Sequence, residues 1–536
     1  MLKRARPWSL AAVVVSVAAM GVLPAHPVAA EPADSRLAPA SATAGTDDPV
    51  PLPSDPDDIT ADQAARTLIR ARAAVDGDLQ ALPATGAAES PTLALRDLYR
   101  AKPRLGGGDL DAAERILARP TDGAADPGGD GYPAGAPVST GCSANVCVHY
   151  VKVGEGAATD AWAYQTLKTM QSVWDFETRT QLFRGPAADG TRGGSSKFDV
   201  YLTELTSQDL YGYCAPEEQA DAAGMRATSY CVLDNDYVGY QRSPLDSLKV
   251  TAAHEFFHAV QFNYDVHEDA WLYEATATWM EEQYAPSVND NQQYLPAGQL
   301  GDPRIPMDEF GENSYGNWVF FEYLTKRYGF RIVRTTWEAA AGATGTDYHS
   351  LLALKFALYY SRDTAGARGE YGQEYAGFAA ANHLPHTFYP DGAAYPSTPP
   401  RNSVPFRMAP GSVRNSMEVT IPQQTTASYR IDPWRLNDGN RHRLVLQFST
   451  PPSATTPGAY VTVFQSNGRT QRIPVRMNGG TNAVVVPVSP AVSRVYLTLA
   501  NASSRMRCGL ETERACSGTP VDDGVRVIWN ARIQRY

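Results

Sequence analysis

The chain has 536 residues, of which 43% are hydrophobic and 20% charged, with a formal net charge of −11. This length exceeds what one hydrophobic core supports, so the composition predicts a globular protein of roughly two to four domains. The acidic balance argues against nucleic acid as the main partner.

The first 30 residues have the pattern of an export signal. Basic residues near the start precede an apolar run from Leu10 to Leu23, and Val28-Ala29-Ala30 fits a small-residue cleavage site. The run is short for a membrane span, and no later segment is long and apolar enough to be one. We therefore predict that residues 1–30 are removed and that the mature protein is secreted, with no transmembrane segment.

Residues 31–140 are rich in Ala, Pro, Gly and Asp. Helical patterns occur at three places in this region: about Ala61–Val75, Thr92–Ala101 and Asp109–Ala118. In an exported protein such a region indicates a pro-segment, and a plain spacer is the alternative. No cysteine lies between Glu31 and Gly141, so a thiolate from this region cannot cap a metal ion.

The six cysteines fall into three pairs that are close in sequence. An even number of cysteines in an exported chain predicts disulfides. We predict the pairings Cys142–Cys147, Cys214–Cys231 and Cys508–Cys516.

Residues 141–390 begin with strands and end in helices. The alternation of apolar and polar residues predicts strands at Val146–Val153, Lys197–Leu205 and Ser229–Leu233, and a helix at Thr159–Glu177. From Leu245 onward the pattern is helical, with predicted helices at Ser247–Tyr264, Ala270–Tyr284, Ser314–Tyr328, Ile332–Ala341, Tyr348–Tyr360 and Glu370–Asn382.

Residues 400–536 contain short β-rich runs separated by turns, which predict a β-sandwich. The overall fold class is therefore α+β with a C-terminal all-β domain, and that domain is expected to bind a surface, a glycan or a protein, or to stabilise the chain. The seven runs are Ser416–Ile421, His442–Phe448, Tyr460–Gln465, Arg472–Val475, Ala483–Val488, Val495–Ala500 and Gly524–Ile533.

The sequence His254-Glu255-Phe256-Phe257-His258 contains candidate metal ligands and a candidate general base. Residues four apart share one helix face, so His254 and His258 can direct their imidazoles at one ion. Glu255, one position on, can act as general base toward a water that the ion polarises. This spacing predicts a zinc site, because catalytic zinc usually has three protein ligands and one open position.

The third ligand is expected on the next helix, and Glu274 is the candidate. Glu281 and Glu282 are rivals, about two turns further along. A metzincin would place a histidine where this chain has Tyr264, so that pattern is excluded. His267 and Glu268 are interpreted as solvated loop residues. Asp234-Asn235-Asp236 and Asp265–Asp269 could bind calcium. The sequence favours interpreting them as turn residues and solvated charge, because no full spacing of oxygen ligands is visible.

HEFFH followed by WLYEATATW resembles the gluzincin zinc peptidases, whose third ligand is a glutamate on the next helix. The later SYGNWVFFEYLTKRYG looks like the tyrosine-led helix of their aminopeptidase branch, which implies that Tyr315 stabilises the oxyanion; His349 and Tyr348 are alternatives. The ensemble looks closest to a group of secreted bacterial metalloproteases known mainly by this motif.

This resemblance covers about Thr251–Gly329 and implies a zincin-like domain, a small mixed sheet followed by a helical half. In such enzymes an edge strand just before the motif helix pairs with the substrate backbone. The chain departs from the pattern in two places. It has no GxMEN motif for a free amino terminus, and Thr278 stands where thermolysin-like enzymes have an aspartate.

We therefore predict a secreted zinc endopeptidase that acts on a protein or peptide substrate. Two alternatives stay open: a zinc hydrolase with a non-peptide substrate, and a non-catalytic surface-binding protein that keeps the zincin fold. An intact Glu255 speaks against the second alternative, because a scaffold needs no base beside the metal.

Overall fold

The structure is a computed structural model, and it describes residues 59–77, 90–125, 131–133, 135–154, 156–342, 349–477, 479–509 and 512–536. The predicted signal peptide lies outside these residues. Three parts are distinguished below by residue range. They are the N-terminal segment (residues 59–125), the central domain (residues 138–398) and the β-sandwich (residues 406–535).

The N-terminal segment contains three helices close to the predicted positions: α1 (Ala61–Val75), α2 (Pro91–Ala101) and α3 (Gly108–Ile116). Helix α2 begins with a strong local signal. The Ser90 side chain accepts a hydrogen bond from the backbone N–H of Leu93, and Pro91 occupies the first helical position. Both features favour a helix start at this point.

The central domain contains a mixed five-stranded sheet in the order β1-β2-β3-β5-β4. Its strands are β1 (Val138–Cys142), β2 (Val146–Val151), β3 (Phe198–Thr203), β4 (Gly212–Gln219) and β5 (Ala227–Asp234). Strands β2, β3 and β5 pair in parallel, and β4 pairs antiparallel to β5 at the edge. The strand directly before the motif helix, β5, is therefore interior. The expectation of an edge strand there was wrong, and β4 forms that edge.

Both faces of this sheet are covered. Val200 and Leu202 belong to an apolar cluster shared with the central-domain helices, whereas Tyr201 and Val232 belong to a cluster shared with α1, α2 and α3. Parallel strands covered on both faces have nearly continuous apolar sequences, and every residue of β3 and β5 is buried. The N-terminal segment is thus one of the layers that enclose the sheet.

Helices form the rest of the central domain. Helix α4 (Asp160–Trp174) continues as a π-helical turn at Asp175–Thr180. The predicted helix at Ser314–Tyr328 is broken at Asn317, and it ends at Gly329 with φ +77°, as expected of a glycine stop. The later helices are α5 (Pro244–Phe262), α6 (Ala270–Tyr284), α7 (Glu312–Gly316), α8 (Trp318–Tyr328), α9 (Arg331–Ala340), α10 (Ser350–Tyr360), α11 (Tyr371–Ala381) and α12 (Pro385–Phe388).

The C-terminal region contains two large sheets, β11-β10-β13-β8-β6 and β12-β9-β16-β7, whose inner residues share one apolar cluster. A separate two-stranded sheet is formed by β14 and β15. Six of the seven predicted runs lie within strands, the seventh begins one residue before its strand, and four further strands were not predicted. The strands are β6 (Phe406–Met408), β7 (Val413–Ile421), β8 (Thr425–Pro433), β9 (His442–Thr450), β10 (Pro457–Gln465), β11 (Thr470–Val475), β12 (Gly480–Val488), β13 (Val492–Asn501), β14 (Met506–Arg507), β15 (Thr519–Pro520) and β16 (Val525–Arg535).

The cysteines form the three predicted disulfides, Cys142–Cys147, Cys214–Cys231 and Cys508–Cys516. Bonds of this kind persist in oxidising compartments, which fits a protein outside the cytosol. Within the described ranges, no helix has the length and apolarity to cross a bilayer.

Candidate metal centre

Two consecutive helices present the predicted ligands. Helix α5 starts at Ser243, whose side chain accepts from the N–H of Asp246, and it carries His254, Glu255 and His258 on its second half. The chain then turns, and α6 packs back along α5. This reversal brings Glu274, near the start of α6, opposite the two histidines.

The ligand atoms of His254, His258 and Glu274 all lie within 4.8 Å of one another. Glu274 Oε2 is 3.2 Å from His254 Nε2 and 3.7 Å from His258 Nε2. A tetrahedral zinc ion about 2.0–2.1 Å from each ligand atom would separate those atoms by about 3.3 Å. The three side chains therefore fit a single ion of this size.

Unpaired polar atoms point to the same place. His258 Nε2 and Glu274 Oε1 are buried and have no hydrogen-bond partner among the described residues. Buried polar atoms are normally satisfied, so such orphans indicate a missing ion or water. Two imidazole nitrogens and one carboxylate form a donor set typical of catalytic zinc.

The electrostatics of the cluster favour a positive charge. Burial opposes the charged form of His254, but hydrogen bonds to Glu274 and Glu281 raise its pKa well above the usual value. Burial likewise opposes ionisation of Glu274, yet His258 and His254 hold its pKa far below the usual range. Glu274 is therefore a buried, ionised carboxylate, as a cation requires of its ligand.

The far nitrogen of each histidine is also held. His254 Nδ1 lies 2.7 Å from Glu281 Oε1, and His258 Nδ1 lies 2.6 Å from Gln261 Oε1. These contacts fix the ring orientation and leave Nε2 of each ring for the ion. Glu281 was considered above only as a rival ligand, and Gln261 only as evidence against a metzincin. Their roles follow from contacts that the motif spacing did not reveal.

Glu255 and Tyr315 flank the ligand set. The Glu255 side chain is buried and accepts a hydrogen bond from Thr92 Oγ1 at 2.9 Å. The Tyr315 ring is stacked 6.1 Å from the ring of His254, and its hydroxyl is hydrogen-bonded to Ser90. Burial raises the pKa of Tyr315 well above its usual value, so its hydroxyl stays protonated and able to donate.

His349 and Tyr348 were the alternative oxyanion donors. His349 lies beside the sulfurs of Cys508 and Cys516, which are bonded to each other and therefore offer no thiolate. Tyr348 lies outside the described residues. The structure thus brings Tyr315 to the ligand set.

The loop between α5 and α6 corrects one expectation. Glu268 is buried, and the half-buried His267 contacts Arg100 Nε and the carbonyl of Gly224. Interpreting both as solvated residues was wrong, because the N-terminal segment covers this loop.

The contacts of Asp234 do not support calcium binding. Its carboxylate accepts hydrogen bonds, and carboxylates that are already satisfied by donors form turns rather than ion sites. The donors are the backbone N–H groups of Leu205, Asp236 and Tyr237 and the hydroxyls of Thr206 and Tyr240.

Comparison with known families gives one match, to DUF6055, a family of unknown function, over residues 241–347. The matched stretch contains all five predicted site residues, but it is a minor part of the chain. No curated protein matches.

Two solved structures are among those similar to the chain. One is the enzymatically active domain of bacteriophage CBA120 tailspike protein 4, with 16% identity over 23% of this chain and a TM-score of 0.14. The other is BtGH115A, a family GH115 4-O-methyl-alpha-glucuronidase with specificity for decorated arabinogalactans, with 8% identity over 55% of this chain and a TM-score of 0.13. The chain spans 15% and 38% of their lengths. TM-scores this low do not establish a common fold.

Proposed function

We propose that the chain is a secreted zinc endopeptidase of the gluzincin type. The observation that carries this proposal is the convergence of His254, His258 and Glu274 from consecutive helices, with Glu255 beside them. The mixed sheet followed by helices supports a zincin-like domain. The export pattern in the sequence and the three disulfides support an extracellular location.

Each residue of the site has a separate proposed role in peptide hydrolysis. Zinc would supply a Lewis acid that polarises the carbonyl and acidifies water. Glu255 would take a proton from that water and pass it to the departing amine nitrogen. Tyr315 would donate its hydroxyl proton in a hydrogen bond to the developing oxyanion. Glu281 and Gln261 would hold the two imidazole rings in the orientation that leaves Nε2 free for the ion.

The substitution Glu255→Gln tests this assignment, because the amide keeps the shape of the side chain but cannot accept the proton. We expect unchanged zinc content and loss of at least about 100-fold in peptide turnover. Elemental analysis and a fluorogenic peptide library provide the two measurements. Glu338→Gln, at a partly exposed glutamate on α9, is the matched control and should keep full activity. A fully active Glu255→Gln protein would refute the proposed role of Glu255.

The same library separates the alternatives. Hydrolysis of ester or glycan panels without peptide cleavage would favour a non-peptide hydrolase. A purified protein that neither contains nor binds zinc would favour a binding protein.

A further inference from the structure

The start of helix α2 lies in the candidate metal centre. Thr92 Oγ1 donates to Glu255 Oε2 at 2.9 Å, and Ser90 is hydrogen-bonded to the hydroxyl of Tyr315. Residues 163 positions apart in sequence are thus joined at the proposed base. The two groups proposed to handle the proton and the oxyanion are both occupied by the N-terminal segment.

Thr92 also occupies the edge of the sheet. Its hydroxyl oxygen accepts a hydrogen bond from the backbone N–H of Cys214, in edge strand β4, at 3.0 Å. This N–H points away from β5, toward the side where an added strand would pair. An extended peptide that lies along β4 would need this donor, so Thr92 and such a peptide exclude each other.

The charge arrangement holds α2 in this position. The N-terminal end of a helix carries a partial positive charge, and α2 directs that end at the carboxylate of Glu255. A cleft that contains two carboxylates, Glu255 and Glu274, attracts it. The contact is therefore complementary rather than a mere steric block.

The rest of α2 is anchored on the opposite side of the cleft. Arg96 is 3% exposed, donates from Nη1 to the carbonyl of Glu268 at 2.9 Å, and lies 4.8 Å above the ring of Tyr273. One turn later, Arg100 Nε contacts His267 Nδ1 at 3.1 Å. Helix α2 therefore bridges edge strand β4 and the loop between α5 and α6, and it closes the cleft between them.

We propose that the N-terminal segment is a built-in inhibitor of the metal centre, with Thr92 as the residue that occupies the general base and Ser90 as the residue that occupies the oxyanion donor. The inference rests on the proposed function of the site. The full-length chain is then latent, and it becomes active when the chain is cut between the N-terminal segment and β1 and α2 leaves the cleft. The inhibition uses hydroxyl groups and a helix end rather than a thiolate.

Two full-length variants test the proposal, each loaded with zinc. Thr92→Val keeps the shape of the side chain but removes both of its hydrogen bonds. Ser90→Ala removes the contact with Tyr315 together with the N-terminal cap of α2. Thr67→Val is the matched control, because the Thr67 hydroxyl donates to the carbonyl of Gln63, within α1. Two rates are measured: removal of zinc by 1,10-phenanthroline, and turnover of the peptide library.

A third preparation does not depend on side-chain changes. A recognition sequence for a site-specific protease is inserted after Gly135, an exposed residue between the N-terminal segment and β1. The chain is cut there and diluted from micromolar to nanomolar concentration. The same two rates are then followed, because a cut segment dissociates on dilution whereas a tethered one does not.

We expect Thr92→Val to raise both rates by about tenfold, as removal of a hydrogen bond to a charged group permits, and Ser90→Ala to raise them less. Thr67→Val should match the wild type, and the cut chain should gain rate on dilution. Faster zinc removal without any peptide turnover would support occlusion by α2 while overturning the peptidase function. Wild-type rates in both variants, measured with native circular dichroism, together with no effect of dilution, would overturn the proposal.

Discussion

Each of the two proposed ligand histidines uses both of its ring nitrogens. Nε2 faces the ion site, while Nδ1 is held by Glu281 for His254 and by Gln261 for His258. Gln261 is itself fixed, because its Nε2 donates to the carbonyl of Tyr273 and to Thr276 on α6. The aspartate missing at Thr278 is thus replaced by an acceptor one helical turn further along α6.

Removal of the carboxylate beside His254 should weaken the metal site. For Glu281→Ala we expect zinc affinity to fall by about 10–100-fold, the usual effect of losing a ligand-orienting partner. Competition with a fluorescent chelator measures it. Glu282→Ala is the control, since Glu282 contacts Asn291 and neither histidine. Equal affinities of the two variants would show that Glu281 does not orient His254.

The hydroxyl of Tyr315 should matter for turnover and not for metal binding. We expect Tyr315→Phe to lower kcat by about 100-fold, as the loss of one oxyanion donor does, with zinc content unchanged. Tyr294→Phe is a suitable control because the Tyr294 ring lies 5.1 Å from the Tyr315 ring, in a tilted arrangement, and has no assigned role in the reaction. Activated protein should be used for both variants. A change in KM alone would count against the assigned role.

Some site residues could be predicted from the nearby sequence, and others could not. His254, Glu255 and His258 were predictable because one helix turn relates them, and Glu274 because the next helix must return past the first. The structure brings all four together. Ser90 and Thr92 could not be found in this way, since their contacts depend on packing between parts of the chain that are far apart in sequence. No local signal marks such pairs.

At the level of elements, helices were predicted better than strands. The stop at Gly329 is a local signal, and the structure confirms it. The Ser90 cap of α2 is equally local, but it was not predicted. Strand β4 was missed because Pro216, Glu217 and Glu218 are residue types depleted in strands. Its edge position explains why they are tolerated, because an edge strand can accommodate proline and charge.

The contact between α2 and the α5–α6 loop should weaken in acid. Burial, and then the nearby Arg100, lower the pKa of His267 to about 4; Arg96 acts in the same direction and Asp97 opposes it. With α2 in place, His267 resists protonation, whereas with α2 released it protonates near pH 6.5. The released state therefore binds more protons, and the contact loses stability as pH falls from about 6.5 toward 4.

Hydrogen exchange measures this effect. We expect the amides of α2 to lose protection relative to those of α10 when pH is lowered from 7.5 to 5. The substitution His267→Gln should flatten the change, whereas His386→Gln, at an exposed histidine, should not. Constant relative protection of α2 across this range would contradict the prediction.

At the scale of the whole molecule, the β-sandwich is joined to the central domain by more than apolar packing. Arg514 forms an ion pair of 2.7 Å with the fully buried Asp308, and the carbonyl of Glu513 accepts from the N–H of Phe310. The disulfide between Cys508 and Cys516 closes the loop that carries these contacts. The sandwich was predictable from its β-rich runs, but its docking on the central domain was not.

This ion pair should contribute to stability. Removal of one partner leaves a buried charge uncompensated, which costs about 3–5 kcal/mol. We therefore expect Arg514→Met to lower the free energy of unfolding by about 3 kcal/mol. Arg526→Met is the matched control, because Arg526 pairs with Glu418 on the surface, where solvent screening leaves such pairs little effect on stability. Denaturant titration compares the two, and equal midpoints would be the contrary result.

Arg119 of the N-terminal segment forms ion pairs that bear on how the central domain folds. Its guanidinium pairs with Asp189, Asp199 and Glu217, all buried in the central domain, while the helices beside it cover one face of the sheet. A central domain synthesised without this segment would have to bury these carboxylates without the cation that contacts all three, which opposes folding. The segment is thus expected to serve as a folding template before it serves as an inhibitor. Recombinant production from Val138 onward should then yield misfolded protein unless the segment is supplied as a separate chaperone chain.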